Sequence, residues 1–202
     1  MRRSFAILAL AAAAVVAAPA GADTIGAQGG GANNVVLVQI GTDQSWHARS
    51  HLQIASVAGD TVASTNLALA RAEGCTGCRA SAVAVQVLFV TGEPSVFTPA
   101  NVATAVNGGC DTCGTYAYAW QYLLQTSGPV YLSATGRLEV QQLQQEIADA
   151  VASIDPTSIA ADEQLTGELD TLTTQLKSVV DAEVRTAGVR ASGAPVEQVR
   201  QS

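Results

Sequence analysis

The run Asn66-Leu-Ala-Leu-Ala-Arg-Ala-Glu-Gly-Cys75-Thr-Gly-Cys78 returns as Asn101-Val-Ala-Thr-Ala-Val-Asn-Gly-Gly-Cys110-Asp-Thr-Cys113, a spacing of 35 residues. The register then continues without a gap through Ala82 and Ala117, Gln86 and Gln121, Leu88 and Leu123, Thr91 and Thr126, to Pro94 and Pro129. Between 66–94 and 101–129, 12 of 29 positions are identical. That is too many for shared Ala and Val richness alone, so each copy reads as one supersecondary unit. A fainter copy precedes them. Leu52, Gln53 and Gly59 stand before Asn66 much as Val85, Gln86 and Gly92 stand before Asn101, with two residues fewer and no cysteines.

Local signals suggest how the unit folds. Thr98-Pro99 resembles an N-cap followed by proline at the first helical position, which predicts a short helix over 101–106 stopped by Gly108-Gly109. After each CxxC, the segments 80–90 and 115–125 are rich in Val, Tyr and Trp, as strands are. Their near-continuous apolar character fits strands buried on both faces. In the cysteine-free copy, Trp46, Ala48, Ser50, Leu52 and Ile54 alternate with His47, Arg49, His51 and Gln53, a period of two. The partner of that strand is read as 34–40, joined to it by a hairpin turn at Gly41-Thr42-Asp43. The expected class is therefore α+β: a small mixed sheet, partly parallel with right-handed crossovers, made from an N-terminal hairpin and two helix–CxxC–strand repeats. The competing reading makes the Ala-containing segments 80–90 and 116–125 helices, in a mostly α chain.

Beyond the repeats the pattern changes. Val140, Leu143, Ile147, Ala150 and Ile154 recur at spacings of three and four; Asp155-Pro156 interrupts; Leu165, Leu169, Leu172, Leu176 and Val179 resume. This predicts an antiparallel helical hairpin over 133–185 with an acidic outer face, and an oligomer seam is one use for its apolar stripe. The full division is a signal peptide at 1–22, a Gly-rich linker at 23–33, an α/β domain at 34–132 with repeats at 66–100 and 101–135, the hairpin, and a frayed tail at 186–202.

The signal reading rests on Arg2-Arg3 followed by a short apolar stretch and Ala20-Gly21-Ala22. That stretch falls short of the roughly 20 residues that span a bilayer. The expected location is secreted or cell-envelope, with no transmembrane segment in the mature chain. Arg2-Arg3-Ser4-Phe5 also resembles a twin-arginine signal, the route for proteins exported already folded. Loss of Arg2 and Arg3 takes the formal charge from −7 to −9. An acidic chain of this kind lacks the electrostatic footprint for nucleic acid and is repelled by anionic membranes.

Cys75, Cys78, Cys110 and Cys113 admit three chemistries. An even cysteine count in an exported chain points first to disulfides, within each CxxC or across the repeats. The alternative is a tetrahedral four-thiolate zinc site, although the 31 residues between the pairs exceed the common spacing. The third is thiol–disulfide exchange, but here each pair follows an expected helix and opens a strand, the reverse of a redox CxxC. His47 and His51 read as a solvated pair, because no Glu follows His47 as a zinc-protease helix requires. Tyr116, Tyr118, Trp120 and Tyr122 share one strand face, as packing for the hairpin or as a ligand platform. Gly29-Gly30-Gly31 is linker. No catalytic site residues or bound cofactor are expected, and the chain reads as non-enzymatic.

The doubled Asn-x-Ala-x-Ala…Cys-x-x-Cys…Ala-x-Ala-x-Gln pattern, followed by Gly128-Pro129-Val130-Tyr131-Leu132-Ser133 and an acidic helical region, resembles a group of secreted actinobacterial proteins. These are related to the extracellular segment of peptide zinc metalloprotease proteins. The resemblance covers about residues 35–185. It does not extend to the protease activity, since the chain has no HExxH. What it implies is a stand-alone accessory or interaction module with an unidentified protein partner.

Overall fold

The computed structural model describes residues 31–156, 158–193 and 197–201; the signal expected at 1–22 and most of the linker lie outside them. The repeat region forms β1 (Asn33–Ile40), β2 (Trp46–Ala58), β3 (Thr61–Glu73), β4 (Arg79–Thr91), β5 (Val96–Gly108) and β6 (Gly114–Thr126). Successive strands belong to opposite sheets: β1, β3 and β5 pair side by side, as do β2, β4 and β6, and every one of these pairings is parallel. The chain thus winds as a two-sheeted solenoid of three coils. Each coil comprises one strand of each sheet, and it can bury its apolar face only by stacking on its neighbour. Between the last two coils the pairing offset is a constant 35, with Asn66 opposite Asn101 and Gln86 opposite Gln121.

This architecture corrects the expected fold class. The segment 101–106 is not a helix but the middle of β5, and its counterpart in the preceding coil lies in β3. The reason is visible in Asn66, Ala68, Ala70 and Ala72, which alternate with larger or charged residues and are all buried. Alanine favours helix by local propensity, but here its small side chain allows two sheets to approach closely, and tertiary packing overrides propensity. Pro99 sits in β5, at the edge of its sheet, where a proline is tolerated. The N-terminal hairpin is likewise overturned. β1 pairs with β3 and β2 with β4, so Gly41-Thr42-Asp43 is a corner between sheets. The mostly α alternative fails because 80–90 and 116–125 lie within β4 and β6.

Between the sheets, alanines from β3, β4 and β6 form a thin apolar layer with Val36, Val38, Ile40, Cys75 and Cys78. A second inner cluster at the opposite corner contains Val57, Val62, Leu88, Val90 and Leu123. The largest cluster lies outside the sheet of β2, β4 and β6. There α1 (Ala134–Ser153) and α2 (Ile159–Thr186) cover Val83, Val85, Val87, Tyr116, Tyr118 and Trp120 with their Leu, Ile and Val stripe. Ser133 and Ser158 cap the two helices, accepting from Gly136 N and Ala161 N. The segment expected to be a frayed tail contributes β7 (Ala191–Gly193) and β8 (Glu197–Gln201), which pair antiparallel with β6 and cover its outer edge. Among the described residues no helix is long and apolar enough to cross a membrane.

Candidate functional site: the cysteine corner and the open sheet face

Each passage from the first sheet to the second is a five-residue corner, and the corners stack. In the second and third coils they hold Cys75–Cys78 and Cys110–Cys113, each pair joined as a disulfide, with Cα separations of 6.2 and 5.9 Å. Backbone groups lock one corner on the other: Gly77 N donates to Asp111 O at 2.8 Å, Asp111 N to Cys75 O at 3.2 Å, and Gly114 N to Cys78 O at 3.0 Å. The residue before the second cysteine has left-handed φ in both, +65° at Gly77 and +55° at Thr112. The first coil makes the same bend at Gln44, φ +54°, with Ser45 Oγ donating to Thr42 O where the other corners carry a sulfur bridge. Gln44 N bonds Thr76 O at 2.9 Å, and Asp43 accepts from Thr76 N at 2.8 Å. The cysteine-free copy is therefore a full structural coil.

Stacking brings the two pairs into one cluster. Cys75 Sγ and Cys110 Sγ are 3.8 Å apart, and all four sulfurs lie within 4.8 Å of one another. Cys75 and Cys78 are buried, Cys110 and Cys113 half-buried. A pocket of about 240 Å³, lined by Gln44, Gly77, Arg79, Thr112, Cys113 and Pro156, opens beside them. The loop between the helices closes over this corner: Arg79 pairs with Asp155, and the Pro156 carbonyl lies where a Cβ on residue 114 would be, so only glycine fits at Gly114.

Two amide ladders cross the interior beside the alanine layer. Asn34 Nδ2 donates to Asn66 Oδ1 at 2.9 Å, and Asn66 Nδ2 to Asn101 Oδ1 at 2.7 Å. In the facing sheet, Gln121 Nε2 donates to Gln86 Oε1 at 2.6 Å and Gln86 Nε2 to Gln53 Oε1 at 2.7 Å. The ladders run in opposite directions and end differently. His51 Nδ1 lies 2.6 Å from Asn34 Oδ1 and, as the donor, closes the asparagine ladder. Among the described residues no donor reaches the buried Gln121 Oε1. His51 is thus not the solvated residue the alternation suggested. It is half-buried, and burial pulls its pKa below the ordinary value. His47 is exposed, and the two do not act as a pair.

The aromatic run of β6 packs beneath the hairpin. Tyr116 Oη is 3.0 Å from Thr166 Oγ1, and Tyr118 donates to Asp170 at 3.0 Å. Tyr122 donates to Asp181 at 2.6 Å, and Lys177 both pairs with Asp181 and lies 4.7 Å over the Tyr122 ring. Burial works against the Asp181 carboxylate, yet the donors Lys177 and Tyr122 hold it below its ordinary pKa. Burial and the hydrogen bond to Asp181 raise that of Tyr122. The aromatic face and the apolar stripe of the helices are consumed by each other, and neither is left as a ligand platform.

The opposite side of the molecule contrasts with this. The outer face of β1, β3 and β5 has no covering element among the described residues. Parallel register lines up Val35, Leu67 and Val102 in one row and Leu37, Leu69 and Thr104 in the next. Val35 and Leu37 are about half exposed, at 49% and 51%. Val102 and Val106 are exposed as well, and Leu67 and Leu69 are partly so. The alternation Val35-x-Leu37 and Leu67-x-Leu69 marks this face in the sequence, while the helix-start signal of Thr98-Pro99 hides its continuation at Val102. No family model, no curated protein and no solved structure matches this chain.

Proposed function

We propose that this chain is a non-enzymatic, exported interaction module, and that it binds a protein partner through the outer face of β1, β3 and β5. The observation that carries this reading is the asymmetry of the two sheets. One buries its outer face beneath the chain's own hairpin, while the other presents contiguous rows of Val and Leu to solvent. Large exposed apolar patches on a folded chain commonly mark contact sites. The amide ladders and the corner hydrogen bonds support the same reading, because they link each coil to the next, while the two disulfides fix the bend within a corner. Export is supported by the signal-like N-terminus together with bonded cysteines, which persist in oxidising compartments.

The test is site-specific photo-crosslinking in cells that make the protein. A photoreactive phenylalanine analogue at Leu37 is expected to give a discrete protein adduct that disappears when Val102→Asp is added. The same analogue at Leu138, exposed on α1, is expected to give none. Equal labelling from both positions, or none from Leu37, contradicts the proposal.

A further inference from the structure

We propose that the four sulfurs at the stacked corners form, in the reduced chain, one thiolate site for a soft or borderline divalent cation of the zinc class, built jointly by two coils. This is independent of the apolar face. The argument is geometric. A tetrahedral zinc with Zn–S bonds of about 2.3 Å places its sulfurs about 3.8 Å apart. Across the two corners Cys75 Sγ and Cys110 Sγ are already 3.8 Å apart, and no two of the four sulfurs lie more than 4.8 Å apart. Among the described residues this is the grouping of His, Cys, Asp and Glu side chains with ligand spacing. In sequence the spacing looked unfavourable, with 31 residues between the pairs. The solenoid removes that objection, because one full coil returns the chain to the same corner.

The backbone of the site does not depend on the sulfur bridges. The parallel bridge between Thr76 and Asp111 and the three corner hydrogen bonds fix both turns, and the first coil makes the same turn with Thr42 and Ser45. Opening the bonds requires side-chain rotation only. The adjoining pocket, lined in part by Cys113, gives reagents and ions an approach.

The two states exchange by balanced steps. A dithiol reductant delivers two electrons and two protons to each Cys–Cys bond and closes to its own disulfide. Zinc then displaces the four thiol protons. In the other direction, each pair of thiolates attacks an oxidising disulfide, passes it two electrons, and closes as that oxidant departs as two thiolates, which releases the metal.

The experiment uses the protein reduced under anaerobic conditions with a phosphine, then titrated with cobalt(II) and competed with zinc. The expected result is intense thiolate-to-cobalt absorption that saturates at one metal per chain, and a rise in the melting temperature of the reduced chain. The oxidised protein is expected to take up none. Cys110→Ser with Cys113→Ser, and separately Cys75→Ser with Cys78→Ser, should each abolish the uptake, so the result stands even if one double variant fails to fold. Saturation at two metals per chain, a double variant that binds as tightly as the parent, uptake without a melting shift, or no uptake overturns the proposal.

Discussion

Asn66 is fully buried, and its amide is engaged on every side. Its Nδ2 contacts Asn101 Oδ1, Ala84 O at 3.1 Å and Trp120 O at 3.0 Å, while its Oδ1 accepts from Asn34. A buried polar network of this kind stabilises only while each member is satisfied. Replacement by alanine removes the hydrogen bonds to Asn34, Asn101, Ala84 O and Trp120 O from the interior, where a polar group that loses its partner costs about 1–3 kcal/mol. Asn66→Ala is therefore expected to cost about 2–4 kcal/mol in urea unfolding. Asn101→Ala, at the half-exposed end of the ladder, should cost clearly less. Equal losses at the two positions would show that the ladder does not act as a connected unit. At this scale the sequence was partly legible. Asn66, Asn101, Gln86 and Gln121 stood out as repeat markers, but nothing in their spacing shows that their side chains bond to one another. The inward turn of His51 was hidden for a related reason: an alternating strand shows which residues share a face, and His47, Arg49, His51 and Gln53 share theirs, but not that the face turns toward Asn34 at one end only.

Among the elements, the hairpin was readable in outline and the strands before the cysteines were not. Leucines at spacings of three and four can mean little besides a helix, and α1 and α2 follow that pattern closely. By contrast, Asn-x-Ala-x-Ala supports either a strand by period or a helix by composition. Thr98-Pro99 points to a helix start, yet an edge strand such as β5 also accepts proline. What the hairpin contributes can be measured. Leu169 is fully buried among the residues facing β6. Leu169→Asp places an unpaired charge there and should cost more than about 4 kcal/mol, enough to unfold most of the population by circular dichroism. Leu138→Asp, in α1 but 67% exposed, should change stability by less than about 0.5 kcal/mol. A folded Leu169→Asp protein that changed only its size in light scattering would mean that the stripe serves an assembly rather than this sheet.

For the whole molecule, the ladders, the sulfur cluster and the apolar face depend on one arrangement: three coils stacked in parallel, each strand in fixed register on its neighbour. That register puts the asparagines and glutamines in ladders, brings four sulfurs to one corner, and aligns Val35, Leu67 and Val102 on the uncovered face. The repeat itself was plain in the sequence, but a repeat does not say whether its copies sit side by side in one sheet or wind through two. Composition does not distinguish these either, since both bury the same residues. The most direct test is a set of through-space proton contacts in nuclear magnetic resonance spectra of the oxidised protein. The stacked coils should give backbone contacts between Leu67 and Val102 and between Val85 and Trp120, in the parallel pattern, together with contacts from Leu37 to Leu69. Helical contacts between residues three apart over 101–106, or antiparallel contacts between 34–40 and 46–54, would contradict that arrangement.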